Sequence, residues 1–236
     1  MFTNIAYALI AGILPALLWL SFWIKEDNLH PEPRNLITIT FIAGCVSVII
    51  AIIFEKAAQD LLTNSVYTYI AWAGIEEIVK FMAVAMIAFR TKYLDEPIDA
   101  MIYCITAALG FSALENALFI LSPISSGELA TSIVTGNLRF IGATLVHVVS
   151  SAIIGFMLGL TFYRGTVAKA LSLISGVILA IALHASFNLA IISGTATNTL
   201  KVFGWVWCAV VILIILFEEV KAVHPSQTKI YDRNTA

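Results

Sequence analysis

Seven stretches of this chain are each long and apolar enough to cross a bilayer, and that pattern restricts the fold more than any other feature. They run at about 5–24, 36–54, 66–89, 98–121, 138–163, 167–192 and 200–217, each near the roughly 20 residues a spanning helix needs. Lipid offers backbone N–H and C=O groups no partners, so such segments must bond internally, as helices. Composition agrees: 60% of the 236 residues are hydrophobic and 12% charged, against about 25% charged in soluble domains. The expected fold is all-α, a polytopic membrane helical bundle of about seven transmembrane helices. It forms a single membrane-embedded domain over residues 1–236, with a motif-bearing core at about 66–192 and a polar tail at about 221–236.

The breaks between spans are polar: KEDNLHPEPR at 25–34, TKYLDEP at 91–97 and SPISSGE at 122–128. No Lys or Arg precedes Lys25, so the first span is expected as a retained helix rather than a signal peptide. Cys45, Cys104 and Cys208 lie apart in apolar segments and are expected as small buried hydrophobes. A formal charge of −2 with no basic patch gives no sign of a nucleic-acid partner. Odd-numbered loops and the tail hold Lys25, Arg34, Arg90, Lys92, Arg164, Lys169, Lys221, Lys229 and Arg233, against Lys56, Arg139 and Lys201 on the other side. That bias puts the N-terminus outside and the C-terminus in the cytoplasm of a cell membrane.

Within this apolar background, WAGIEEIVKF (72–81) places Glu76, Glu77 and Lys80 in the middle of the third span. Each ionised group at mid-bilayer costs at least about 2.5–3.5 kcal/mol on insertion scales. Glu115 lies in the fourth span, His147 in the fifth, and His184 with Asn188 in the sixth. At 1.5 Å per residue the histidines and the glutamate pair fall about 12–15 Å below the outer surface, with Glu115 somewhat shallower. Independent structural residues would have no reason to share a depth. Lys80 falls about 40° from Glu76 and about 60° from Glu77 around the helix, so it can pair with either. His184 and Asn188 share a face at i, i+4, as do Phe111 and Glu115, with Asn116 alongside. Three carboxylates against one ammonium leave two in excess. Either carboxyls are protonated or a divalent cation binds, and both solutions activate water.

Each of these residues also has a structural reading. Glu76 and Lys80 alone could form an ion pair, but Lys80 can neutralise only one of two adjacent glutamates. A lone intramembrane His such as His147 is often an interhelical hydrogen-bonding residue worth about 0.6 kcal/mol. Glu115 has no cation nearby in its own segment, so its partner must come from another helix. Arg139 is expected to snorkel at the interface, and Asp95 and Asp99 to cap the fourth span. Ser150 and Ser151 follow His147, but serine in a membrane helix usually bonds its own backbone.

IEEIVK (75–80) resembles the EExxK motif, and GFSALEN (110–116) the FxxxEN motif, of the PrsW family of intramembrane proteases. LDEPIDAMIY, RFIGATLVH and LHASFN resemble that family's remaining blocks in the same order, over about residues 70–190. The family is similar to the wider CAAX prenyl protease and ABI group, whose blocks read EExxxR, FxxxH and HxxxN. Here Lys80 replaces the arginine one residue earlier and Glu115 stands where that group has histidine, so a prenyl-cysteine substrate does not carry over. The resemblance implies an intramembrane endopeptidase that cuts a membrane protein, typically single-pass, near the outer face, in regulated proteolysis such as anti-sigma factor cleavage. It implies Glu76 as the base activating water with Glu77 assisting, and His184 and Asn188 as oxyanion stabilisers. Glutamate chemistry without a cofactor is favoured. Zinc is the alternative, held by Glu115, His147 and His184, a His₂Glu set of the kind zinc hydrolases use. Lys80, Phe111 and Asn116 are supporting residues.

Two other functions fit intramembrane Glu, His and Lys: a proton- or ion-coupled carrier, and a non-catalytic membrane scaffold of the same fold. Carriers usually show paired repeats, whereas this chain has one polar cluster.

Overall fold

A computed structural model describes residues 2–27, 30–192 and 196–224; the tail beyond 224, with Lys229 and Arg233, lies outside the described residues. The described elements are α1 (Phe2–Trp23), a 3₁₀ turn (Ile24–Asp27), α2 (Arg34–Leu61), α3 (Ser65–Ile87), α4 (Asp99–Ser125), α5 (Leu129–Leu138), a π-helical turn (Arg139–Ala143), α6 (Thr144–Leu160), α7 (Thr166–Ile192) and α8 (Ala196–Lys221). No strand occurs among the described residues. With α5, the π turn and α6 forming one rod, six elements are long and apolar enough to span a membrane. The remaining long helix, α3, has 23 residues and carries Glu76, Glu77 and Lys80. This is the expected polytopic helical bundle of a multi-pass membrane protein. Exposed Leu14, Ile49, Leu179 and Ile212 give the outer faces the apolar surface that lipid requires.

The second helix runs seven residues further than its apolar stretch, to Leu61, and thereby takes in Glu55. A three-residue link follows, and Asn64 caps α3 by accepting from Val66 N at 2.9 Å, satisfying one of the N–H groups a helix start leaves open. At the other end of the bundle, Asp99 Oδ2 accepts from the backbone N–H groups of Asp95 (2.9 Å) and Glu96 (2.6 Å). Asp99 is thus the acid of α4's first turn and ties the preceding turn to it.

Every residue of α4 from Asp99 to Ala113 is buried, and the helix packs against α1, α2 and α6. Its crossing with α2 is backbone on backbone. A Cβ on Gly44 would lie 2.1 Å from Ala107 O, and one on Gly110 would lie 2.0 Å from Phe41 O. Small residues at such crossings let membrane helices approach closely. The result holds Phe111, at the crossing itself, and Glu115 and Asn116, about one and a half turns further along α4, at a fixed height against α3 and α6. Cys45 and Cys104 sit within this packing, but Cys208 is exposed on α8, which corrects the expectation that all three are buried. Cys208 occupies the lipid-facing side of its helix, a position that apolar patterning does not distinguish from the core in a membrane span.

Candidate active site

Five residues expected from the sequence converge as a buried group: Glu76, Glu77 and Lys80 from α3, His147 from α6 and His184 from α7. Lys80 resolves its choice of partner in favour of Glu77, with Nζ 2.6 Å from Oε1. Glu77 is fully committed: Oε1 also meets His184 Nδ1 at 2.8 Å, and Oε2 accepts from Ser151 Oγ at 2.8 Å. Ser151 therefore supports a carboxylate instead of bonding its own backbone, contrary to expectation. Lys80 Nζ further reaches His147 Nδ1 at 3.1 Å and lies 5.0 Å from the centre of the Phe111 ring.

The partner of Glu115 comes from another helix, as its isolation requires, and it is Arg139. The guanidinium reaches Glu115 Oε2 through Nη2 and Asn116 Oδ1 through Nε, the latter at 2.5 Å, and lies 3.9 Å from the centre of the Phe119 ring. The snorkelling expected of Arg139 is thus corrected. The π turn that Arg139 opens adds a residue to the winding. Both Arg139 and His147, eight positions apart on one rod, thereby converge on Glu115 Oε2, with His147 Nε2 at 2.9 Å. Single π turns in helices recur at functional sites. Asn116 is locked from below as well, its Nδ2 donating to Ser112 Oγ (3.2 Å) and Thr144 Oγ1 (2.9 Å).

These contacts fix the orientation and tautomer of both rings. A neutral His184 donates from Nδ1 to Glu77, leaving the Nε2 lone pair free. A neutral His147 donates from Nε2 to Glu115, leaving the Nδ1 lone pair facing Lys80 and Glu76. Glu76 Oε2 lies 3.6 Å from His147 Nδ1 and 3.7 Å from His184 Nε2, and it is buried without a hydrogen-bond partner. Leaving such an oxygen unsatisfied costs about 1–3 kcal/mol or more. One donor atom each from Glu76, His147 and His184 lies within 4.8 Å of the others. With ligand bonds of about 2.0–2.1 Å, the donors around one tetrahedral zinc stand about 3.3 Å apart, close to the two measured separations. Each ring is also backed by a carboxylate on its other nitrogen, the usual arrangement behind metal-bound histidines. The residues present therefore fit a metal, but with Glu76 rather than the expected Glu115 as the carboxylate, because Glu115 is spent on Arg139 and His147.

Two cavities meet at this group. One of about 380 Å³ opens between α3, the α5–α6 rod, α7 and α8, and Arg139, His147, His184 and Asn188 line it. The other, about 340 Å³, lies between α2, α3 and α4 and includes Glu55. Trp72, Glu76, Glu115 and Phe119 border both. Asn188 faces the first cavity one turn beyond His184, as the i, i+4 spacing predicts. Arg139, Ser151 and Glu55 are the site residues that sequence reasoning missed. With Arg139 and Glu55 included, carboxylates still outnumber cations by two.

Fold and site together define a multi-pass membrane protein with a buried carboxylate–histidine centre. The chain matches, over residues 32–217, the family described as "PrsW family intramembrane metalloprotease". It belongs to that family. It is 28% identical over 152 residues to Protease PrsW of Geobacillus kaustophilus, covering 63% of this chain and 64% of the relative, somewhat less than two thirds of that protein's length. It is 24% identical over 181 residues to Protease PrsW of Bacillus subtilis (75% of this chain, 79% of the relative) and 27% identical over 185 residues to that of Clostridioides difficile (75% and 76%). No solved structure matches the chain.

Proposed function

We propose that this protein is an intramembrane endopeptidase whose reacting centre is Glu76 with His147 and His184. The observation that carries the reading is the buried Glu76 Oε2, unpartnered and faced by two ring-nitrogen lone pairs. His147 Nδ1 already meets Lys80 Nζ at 3.1 Å, so Glu76 Oε2 and His184 Nε2 are the two acceptors that call for a proton, a water or a cation there. Family membership supports peptide-bond hydrolysis over the carrier and scaffold alternatives.

Glu76, His147 and His184 would hold a zinc ion. When bound, zinc supplies a water of lowered pKa and polarises the scissile carbonyl. Glu77 and Glu115 hold the two rings in their working tautomers, and Lys80 and Arg139 pair with Glu77 and Glu115 respectively. Asn188 lines the cavity beside His184 and offers an amide donor to the oxyanion; a donor placed for developing charge is worth about 10²–10³ in rate. The cofactor-free chemistry favoured from the sequence is the second reading, and one observation supports it: Lys80 Nζ, 3.1 Å from His147 Nδ1, occupies the lone pair a metal would need. In that reading Glu76 itself takes the proton from water. The substrate is a membrane protein, single-pass by the family resemblance and cut near the outer face with the N-terminus of this chain outside.

Metal analysis of the purified protein separates the readings. Zinc bound in the wild type, lost from His147→Ala and His184→Ala, with cleavage abolished by a chelator and restored by zinc, would establish the first. Full cleavage without metal, abolished by Glu76→Gln, would establish the second. Undiminished cleavage by Glu76→Gln would overturn both.

A further inference from the structure

The two cavities that meet at Glu76 differ in chemistry. The one bordered by α7 holds Arg139, Asn188 and both histidines. The one between α2 and α4 has Glu55, Glu76 and Glu115 in its wall and no Lys or Arg. The remainder of that wall is chiefly apolar, including Val48, Ile52, Leu118 and Phe119. Glu55 lines this cavity together with Glu76. Its position is set from the backbone as well, since Trp72 Nε1 donates to Glu55 O at 3.1 Å and ties α2 to α3 at this level. Glu76, only 6% exposed, borders the same space, while its unpartnered Oε2 faces the two histidines.

A substrate segment lying across Glu76 places residues on either side of the scissile bond in different cavities. The α2–α4 cavity suits a side chain with an apolar stem and a head that only donates. An acidic side chain would face three carboxylates. A purely apolar one would bury the Glu55 carboxyl without offering it a partner, at a cost. Long basic side chains combine an apolar stem with a donor head. We infer that the cavity between α2 and α4 is a substrate subsite, with Glu55 as its specificity determinant, and that it takes a lysine or arginine side chain of the substrate close to the scissile bond.

This inference rests on the protease reading of the same centre. It is tested with the full-length protein in proteoliposomes, supplied with a peptide library of mixed sequence, the cut sites being read by mass spectrometry. Peptides around a preferred cut are then made in pairs differing only by Lys or Leu at the enriched position. The ratio of kcat/KM within each pair is measured for the wild type, Glu55→Gln and Glu55→Lys. A charged hydrogen bond predicts a ratio of about 10–100 in favour of Lys for the wild type, near unity for Glu55→Gln, and below unity for Glu55→Lys. A ratio is unaffected by any general loss of activity, so a merely structural role for Glu55 would leave it unchanged. Cleavage with no basic preference, or a preference that survives Glu55→Gln, overturns the subsite and leaves the protease reading standing. No cleavage of any peptide by the wild type removes both.

Discussion

Two clusters in this bundle offer three metal-type ligands each, and they differ in everything but donor count. Glu76, His147 and His184 form one; Glu32, Asp95 and Asp99 form the other, about 24 Å away along α4 at 1.5 Å per residue. In the acidic cluster Asp99 and Glu32 are committed. Asp99 takes the N–H groups of Asp95 and Glu96, Glu32 accepts from the Tyr103 hydroxyl, and His30 closes on neighbouring Glu96 at 2.5 Å. It joins the loop before α2 to the start of α4. In the Glu76 cluster Glu77 and Glu115 hold the outer nitrogens of the rings and are themselves paired with Lys80 and Arg139, while Glu76 Oε2 is left without a hydrogen-bond partner. What marks a reactive centre is therefore which atoms are left without partners, and whether a cavity reaches them.

Substitution can break that contrast, and the largest effect falls on Glu76. Glu76→Gln keeps the shape and removes the free carboxylate, so cleavage by the purified protein should drop by about 10²–10⁴, the usual worth of acid–base participation. Glu32→Gln should leave the rate unchanged in the same assay.

Glu77→Gln strands the Lys80 charge in the core, which should cost about 3–5 kcal/mol of stability, measured by denaturant unfolding in detergent. Adding Lys80→Met should recover most of that stability, since an apolar residue of similar volume tolerates burial. It should not recover activity, because His184 still lacks its carboxylate. A double variant that cleaves normally would show that Glu77 serves packing alone.

Arg139→Lys retains a charge but loses the planar fork spanning Glu115 and Asn116. Cleavage should fall about 10–100-fold, as when an outer partner of a ligand is removed, with the fold intact by circular dichroism. The smallest effect is expected at Asp99→Asn, where weaker acceptance from two backbone N–H groups should lower stability by about 1 kcal/mol and leave cleavage untouched.

The sequence was most informative where lipid makes polarity expensive. The helical bundle with six apolar spanning elements and α3, the convergence of Glu76, Glu77, His147 and His184, and the need for a distant partner for Glu115 all followed from hydropathy and helix geometry. Arg139 was misread because it stands at the edge of an apolar stretch, where snorkelling is the ordinary role, and a π turn cannot be seen in hydropathy. Glu55 escaped notice because the apolar stretch of α2 ends at Phe54 while the helix continues to Leu61, carrying that carboxyl into the wall of a cavity. Ser151 shows the same limit: whether a serine bonds its own backbone or a glutamate on α3 depends on how α6 faces α3. The choice of Glu76 over Glu115 as the free carboxylate depends on pairings across three helices, which no single segment specifies.

Peptide-bond cleavage in the membrane requires the Glu76 carboxylate, whether as a zinc ligand or as the base that takes the proton from water. The most direct test profiles the N-termini of membrane proteins in cells expressing the wild type or Glu76→Gln at equal levels. New termini near an outer membrane boundary, present with the wild type and absent with Glu76→Gln, are the predicted result. Identical profiles from the two, or the same new termini from both, would contradict it.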